Sequence, residues 1–311
     1  MAPKKAAEVS ERFRDFDANL TTRPWIVIGM GLRKFSKIMN IKNYGLWALI
    51  VIVYLFTLVR FIMFTDSEMY PCRPSPWSDD FQSCLPLDYY GDLLTQGGMR
   101  LFLVSIAAIT SGGVIGKDMT NKSIHLYLSR PISRLDYLIA RFIPVFLVMI
   151  VVTVIPNIII FASMWSDSGL KTEWILDHNW LVFNLIIQGS IYSAGFSIIG
   201  LTFSAVIKKE NAASAAFFLF VYGSSIVCEI FFIALKVLEV DGADFILLLS
   251  VSHLLDCISY AIFDTKYFVI ASVIPWEADI SNIQIGVGFT AIFGGFSGLM
   301  YWMIQQMEAN K

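Results

Sequence analysis

Few residues of this chain are equipped to do chemistry, and they are scattered. The stretch 111–118, "SGGVIGKD", comes nearest to a phosphate loop, in which glycines let backbone N–H groups approach phosphates and a Lys completes the cradle. The pattern GxxxxGK[ST] would need Gly where Ser111 stands and Ser or Thr where Asp118 stands. It also closes a long apolar run instead of joining a strand to a helix, so no ATP binding is expected there. The only histidines, His125, His178 and His253, lie far apart, and neither HExxH nor CxxC occurs; no metal site is expected. A GxSxG elbow for a nucleophilic serine is missing as well, and nothing argues for a nucleic-acid surface. Cys72 and Cys84 bracket "RPSPWSDDFQS" and are expected to form a disulfide if that loop meets an oxidising compartment. Cys228 and Cys257 read as small buried hydrophobes.

What must position any functional residue is a membrane bundle. Of the 311 residues 56% are hydrophobic and 15% charged, far from the roughly 25% charged of soluble chains. Six stretches reach the length of about 20 apolar residues that a crossing needs, at 44–65, 92–116, 137–163, 180–207, 212–238 and 283–306. Continuous apolarity such as "FIPVFLVMIVVTVIPNIIIFA" excludes barrel strands, which alternate. The expected fold is an all-α polytopic membrane protein, with a lead segment at 1–43 and a six-span domain at 44–311.

Lys and Arg crowd the segment before the first span, the 117–136 loop and the turn at Lys208–Lys209, whereas the loops at 66–91, 164–179 and 239–282 are acidic. The positive-inside rule therefore places both termini and the 117–136 loop in the cytoplasm. A seventh apolar piece, "ADFILLLSVSHLLDCISYAIF", carries Ser250, Ser252, His253 and Asp256 near its middle. Unpaired polar groups there would be costly in lipid, so it reads as one or two outer-face helices, re-entrant or not, packed on the bundle without crossing it. No short apolar core follows the initial charges, so the first 43 residues are not a signal peptide. After Pro24, the residues Trp25, Ile28, Leu32, Phe35 and Met39 recur at helical intervals, with Arg33, Lys34 and Lys37 on other sides. An amphipathic helix in the cytoplasmic interface is expected.

The basic loop is the most informative segment. "KDMTNKSIHLYLS" is long enough for about three helical turns and presents Ile124, Leu126, Tyr127 and Leu128 with His125 among them, too short to cross and too apolar for water. It needs a partner surface. Pro131 breaks the run, and "SRLD" reads as a capping box, Ser133 the N-cap and Asp136 reaching back, so that a fresh helix enters the third span.

Here the chain resembles the permease subunits of type-2 ABC exporters, six-span proteins whose second-to-third-span loop ends in a Leu-Ser-x-Pro-Ile-Ser-Arg-like run. The matching stretch is "IHLYLSRPISRLDYLIAR", residues 124 to 141. The resemblance implies that the loop is a coupling helix that docks on an ATPase subunit, with Ile124, His125, Leu126, Tyr127, Leu128, Arg130 and Arg134 as coupling residues. It further implies a separate P-loop ATPase partner that binds ATP and Mg, so that this chain itself has no cofactor. A second permease copy, identical or related, is implied too.

Within the spans, Glu229, Asn157, Asn184 and Gln188 are candidate pathway residues. Each has a bland reading beside it: Glu229 a protonated or hydrogen-bonded helix contact, Asn157 a group that re-satisfies backbone freed by Pro156, Asn184 and Gln188 interhelical glue. Arg60 and Arg100, near outer ends, read as snorkelling. Three functions remain open: the membrane half of an ATP-driven exporter, an intramembrane lipid-modifying enzyme, and a non-transporting scaffold.

Overall fold

A backbone in lipid has to satisfy its own N–H and C=O groups, and for long uncharged segments the helix does so within the segment. The computed structural model is accordingly all-α apart from one pair of two-residue strands. It describes residues 24–65, 94–95, 97–121, 133–167, 172–240, 242–264, 268–269, 276–278 and 280–309. Helices α1 (Pro24–Ile38), α2 (Tyr44–Thr65), α3 (Gly97–Ser111) and the five-residue α4 (Gly116–Thr120) come first. They are followed by α5 (Arg134–Thr153), α6 (Ile155–Asp167), α7 (Thr172–Val206) and α8 (Glu210–Val237). A 3-10 helix (Ala243–Leu249), α9 (Val251–Ile262), the antiparallel pair β1 (Phe268–Val269) and β2 (Trp276–Glu277), and α10 (Asn282–Ala309) complete the order.

Five segments are long and apolar enough to cross a membrane: Gly98–Thr120, Arg134–Ser163, Asn179–Val206, Glu210–Val237 and Asn282–Gln306. Helix α2, with 22 residues, also has the length that a crossing needs. The seventh apolar piece is not a straight helix. Ala243–Leu249 and Val251–Ile262 meet at an angle of 108°, and 7 residues of 3-10 helix or 12 of α-helix rise only about 14 to 18 Å, well short of the hydrocarbon core. This bent pair packs against α7, α8 and α10. The core around it joins Ile106 of α3, Phe196 of α7, Phe217 and Phe232 of α8, and Leu254 and Leu255 of α9, all at 0% exposure. Leu55 and Leu58 of α2 and Ile230 and Phe231 of α8 are more than half exposed, as residues that face lipid chains should be.

Two helices break where the sequence supplies a reason. Pro156 has no N–H to donate, and the chain changes helix at Val154, between α5 and α6. The stretch that looked like a phosphate loop is a break between α3 and α4. Its freed N–H groups at Ile115 and Gly116 donate to Ser204 Oγ at 3.0 and 3.2 Å, so a side chain of α7 occupies the donors that a phosphate would need. Gly116 is required by contact: a Cβ there would sit 2.8 Å from the carbonyl oxygen of Lys208 and 3.0 Å from that of Ser204.

The amphipathic pattern of α1 has a different inner face from the one its apolar stripe suggests. Trp25, Ile28 and Leu32 are 79%, 37% and 48% exposed, whereas Val27 and Gly31 are buried and Lys34 and Ile38 half-buried. Gly31 makes the approach to α5 close, since a Cβ there would lie 2.9 Å from Ile143. Phe35 and Met39 from the apolar set do pack on the core.

Because the three groups facing Gly116, the carbonyls of Lys208, Ser204 and Ile207, belong to the backbone, none can rotate away. Gly116→Ala should destabilise the protein by about 1–3 kcal/mol, the usual cost of overpacking. A melting temperature in detergent equal to that of the wild type would show that α4 stands further from α7 than described.

Candidate functional site

The two ends of the α3–α4 span each carry a polar cluster. At the basic end, Asp118 of α4 faces Tyr137 and Arg141, which lie one turn apart on α5. Tyr137 Oη donates to Asp118 Oδ2 at 2.8 Å, and the Arg141 guanidinium forms an ion pair with the same oxygen. Arg141 also lies 5.2 Å from the centroid of the Tyr137 ring. The side chains of Arg141 and Asp118 are only 11% and 15% exposed, so this charge pairing works in a low dielectric where it is strong. The 117–136 loop therefore leaves and re-enters the bundle through residues clamped to each other.

The return strand of that loop is organised just as tightly. Ser133 Oγ accepts from the Asp136 N–H at 3.1 Å, and Asp136 Oδ2 accepts from the Ser133 N–H at 3.2 Å. The capping box expected from "SRLD" is formed, and it sets the first turn of α5. Arg134 is the first residue of that helix and half-buried. Lys117 reaches Glu210 of α8 at 2.7 Å, but with side chains 59% and 45% exposed this bridge adds little stability. The other coupling candidates, Ile124, His125, Leu126, Tyr127, Leu128 and Arg130, lie outside the described residues, as do Cys72 and Cys84.

Beside the clamp is a cavity of about 300 Å³ between α1 and α5. Its polar lining is Arg33, Lys34, Lys37, Asp118, Tyr137 and Arg141. Lys34 is half-buried there, and burial, then the nearby Arg141 charge, lowers its pKa to about 8.

At the other end, Arg100 of α3 forms an ion pair with Asp256 of α9, whose side chain is 1% exposed. Arg100 also donates to Ser225 Oγ at 2.6 Å and to the Thr95 carbonyl at 2.9 Å. Tyr192 Oη of α7 donates to the second carboxylate oxygen of Asp256 at 2.8 Å. His253 Nε2 stands 3.2 Å from Ser225 Oγ, and its Nδ1 is 3.9 Å from Asp256. Arg100 thus does not snorkel: a carboxylate buried in the bent pair draws the guanidinium inward, and the two charges that would each be expensive alone are satisfied together.

The candidate pathway residues divide among these surroundings. Asn184 donates to the Ile262 carbonyl at 3.0 Å and Gln188 to Ser259 Oγ, so both join α7 to the bent pair. Asn157 is 1% exposed, and neither polar atom of its amide has a partner among the described residues; the backbone freed by Pro156 is not what it binds. Glu229 is half-buried on α8, one turn beyond Ser225 and within the field of Arg100. These four are not gathered into one constellation. Nor do three or more His, Cys, Asp or Glu converge as metal ligands among the described residues.

Sequence reasoning missed the Asp118–Tyr137–Arg141 clamp and the Arg100–Asp256 pair. The available signal for the second was a lone base and a lone acid in separate apolar segments, which lipid obliges to find each other.

A family model described as "ABC-2 family transporter protein" matches residues 38–297. No curated protein matches the chain.

Two outcomes follow from this geometry. Asp256→Ala leaves Arg100 buried without its counter-charge and should cost about 3–5 kcal/mol, whereas Arg100→Met with Asp256→Leu should restore most of it. Detergent melting curves measure both, and equal losses for the single and double variants would refute the pairing. For Lys34, the native ammonium deprotonates near pH 8 while the unfolded chain holds the proton to its ordinary 10.5. Within that window the unfolded state binds more protons, so stability contributed by this residue rises with pH. The wild type should gain on Lys34→Met between pH 8 and 10; parallel melting curves would contradict this.

Proposed function

Since this chain belongs to the ABC-2 family of transporter proteins and is a multi-pass membrane permease component, we propose that it is the translocating half of an ATP-driven exporter. ATP is bound and hydrolysed by a separate P-loop subunit, together with Mg, and this chain receives the resulting movement through its 117–136 loop. A second permease copy completes the pathway. Both termini and the loop face the cytoplasm, in keeping with the Lys and Arg of the opening segment, the loop and the Lys208–Lys209 turn.

The observation that carries this reading is the clamp at the base of the loop. A coupling element has to move as a lever, and a loop with loose ends would dissipate a push in its own backbone. Here Asp118 is fixed to Tyr137, 19 positions on in sequence, and to Arg141 one turn beyond it, while Ser133 and Asp136 cap the helix that leads away. A force on the loop is thereby delivered to α4 and α5 together. Helix α4 packs on α7, and α5 on α1, α3 and α7, so the displacement reaches most of the bundle.

The test is to purify the tagged full chain from its own host in mild detergent, identify what accompanies it and assay ATP hydrolysis. A stoichiometric P-loop ATPase should be found. Replacing Ile124, His125 and Leu128 together by Ala should remove the ATPase from the complex or abolish the substrate response of its hydrolysis. Recovery of the chain alone and inert, or hydrolysis that responds to substrate as before in the triple variant, would overturn the coupling role.

A further inference from the structure

Among the described residues that line it, the cavity between α1 and α5 has more positive than negative charge. Four cations, Arg33, Lys34, Lys37 and Arg141, face one carboxylate, Asp118. That carboxylate is already engaged by Arg141 and by the Tyr137 hydroxyl. Arg33, Lys34 and Lys37 form no ion pair among the described residues. Lys34 is pressed between burial and the Arg141 charge, with Lys117 and Lys37 adding to the repulsion and Asp118 only partly offsetting it. Like charges held this close are unfavourable unless an anion joins them.

Position decides which anion. Helix α1 carries Trp25, Ile28 and Leu32 as an exposed apolar face and Arg33 and Lys37 as exposed cations. A helix of this kind lies along a membrane surface, with its apolar face in the acyl boundary and its cations at the depth of the lipid phosphates. The cavity shares that depth, because Arg33, Lys34 and Lys37 are its wall. Met30 and Ala140 complete the lining and offer an apolar edge on which the glycerol end of a lipid can rest.

We propose that this cavity binds the phosphate headgroup of an anionic phospholipid, from the leaflet that the basic end of the bundle faces. Arg33, Lys34 and Lys37 supply charge-assisted hydrogen bonds to the phosphate oxygens. Arg141, held by Asp118, adds positive potential from behind. Seated there, the lipid bridges α1 to α5 and thereby steadies the helix from which the 117–136 loop continues. This goes beyond the transport reading and does not rest on it, since it needs only that α1 lie at a membrane surface.

The experiment uses the purified full chain in mixed micelles containing phosphatidylcholine and phosphatidic acid, with retained lipid read by native mass spectrometry and stability by melting temperature. The wild type should retain phosphatidic acid in preference to phosphatidylcholine and melt higher in its presence. Arg33→Gln with Lys34→Gln should reduce that retention at least about tenfold, the worth of a single charge-assisted contact. Lys208→Gln with Lys209→Gln, which removes the same charge from the same end of the bundle outside the cavity, should leave retention unchanged. Lys34→Gln alone relieves a buried cation and should fold at least as well as the wild type, so it keeps the test valid if the double variant misfolds; it too should lower retention. Equal retention of the two lipids, or equal losses in the cavity and control variants, would overturn the proposal. Inorganic phosphate that raises the melting temperature as far as phosphatidic acid does would reassign the site to a free anion and overturn the lipid.

Discussion

Asp256 is a carboxylate with almost no exposure, and the end of the bundle opposite the basic one depends on how its charge is met. Arg100 comes from α3, Tyr192 from α7, and Ser225 of α8 holds both Arg100 and His253. Two membrane helices are thus fixed to the bent pair by one acid, and α8 joins through Ser225. A bent element of 7 and 12 residues could not hold its place by apolar contact alone, because lipid chains are as apolar as its neighbours and exert no hydrophobic pull toward protein. Polar groups supply the specificity: Gln188 to Ser259 and Asn184 to the Ile262 carbonyl extend the same seam along α7.

The basic end solves a related problem with the same kind of group. Asp118 organises Tyr137 and Arg141 as Asp256 organises Arg100 and Tyr192, so the span formed by α3 and α4 is tied at both ends through a carboxylate that accepts from a tyrosine and an arginine. The consequences differ. At the opposite end, the acid locks an element into the bundle. At the basic end, it closes the root of a loop beside three further cations that form no ion pair among the described residues. The tie at the root of the loop and the positive potential in the neighbouring cavity come from the same arrangement, because Arg141 both pairs with Asp118 and raises the potential around Lys34.

Close backbone approach makes these ties stiff. Gly116 against the Lys208 and Ser204 carbonyls and Gly31 against Ile143 allow α4 and α1 to sit where larger residues would hold them off. Contact at that distance leaves little slack, so a displacement of α4 is passed to α7 and not absorbed between them. Small residues in membrane helices serve packing in this way in general, and here they lie beside the loop whose movement the proposed function requires.

Much of this was legible in the sequence. Continuous apolar runs can only be helices in lipid, and so the spans and the capping box at Ser133 and Asp136 were readable from residue order, since each is a property of neighbours a few positions apart. The loop motif at 124–141 pointed to the family for the same reason. What tertiary structure alone decided was which distant groups meet and which way each helix turns. Arg100 and Asp256 are 156 positions apart, and nothing in their local contexts states that the pair closes; read by itself, Arg100 looked like a snorkelling base. The apolar stripe of α1 was visible, but a stripe in a membrane chain has two apolar surroundings to choose from. The close fit at Gly31 turned the other face inward, leaving Trp25 exposed and carrying Lys34 toward Arg141. Electrostatic and steric energies depend on distance in space, which residue order specifies only after the chain has packed.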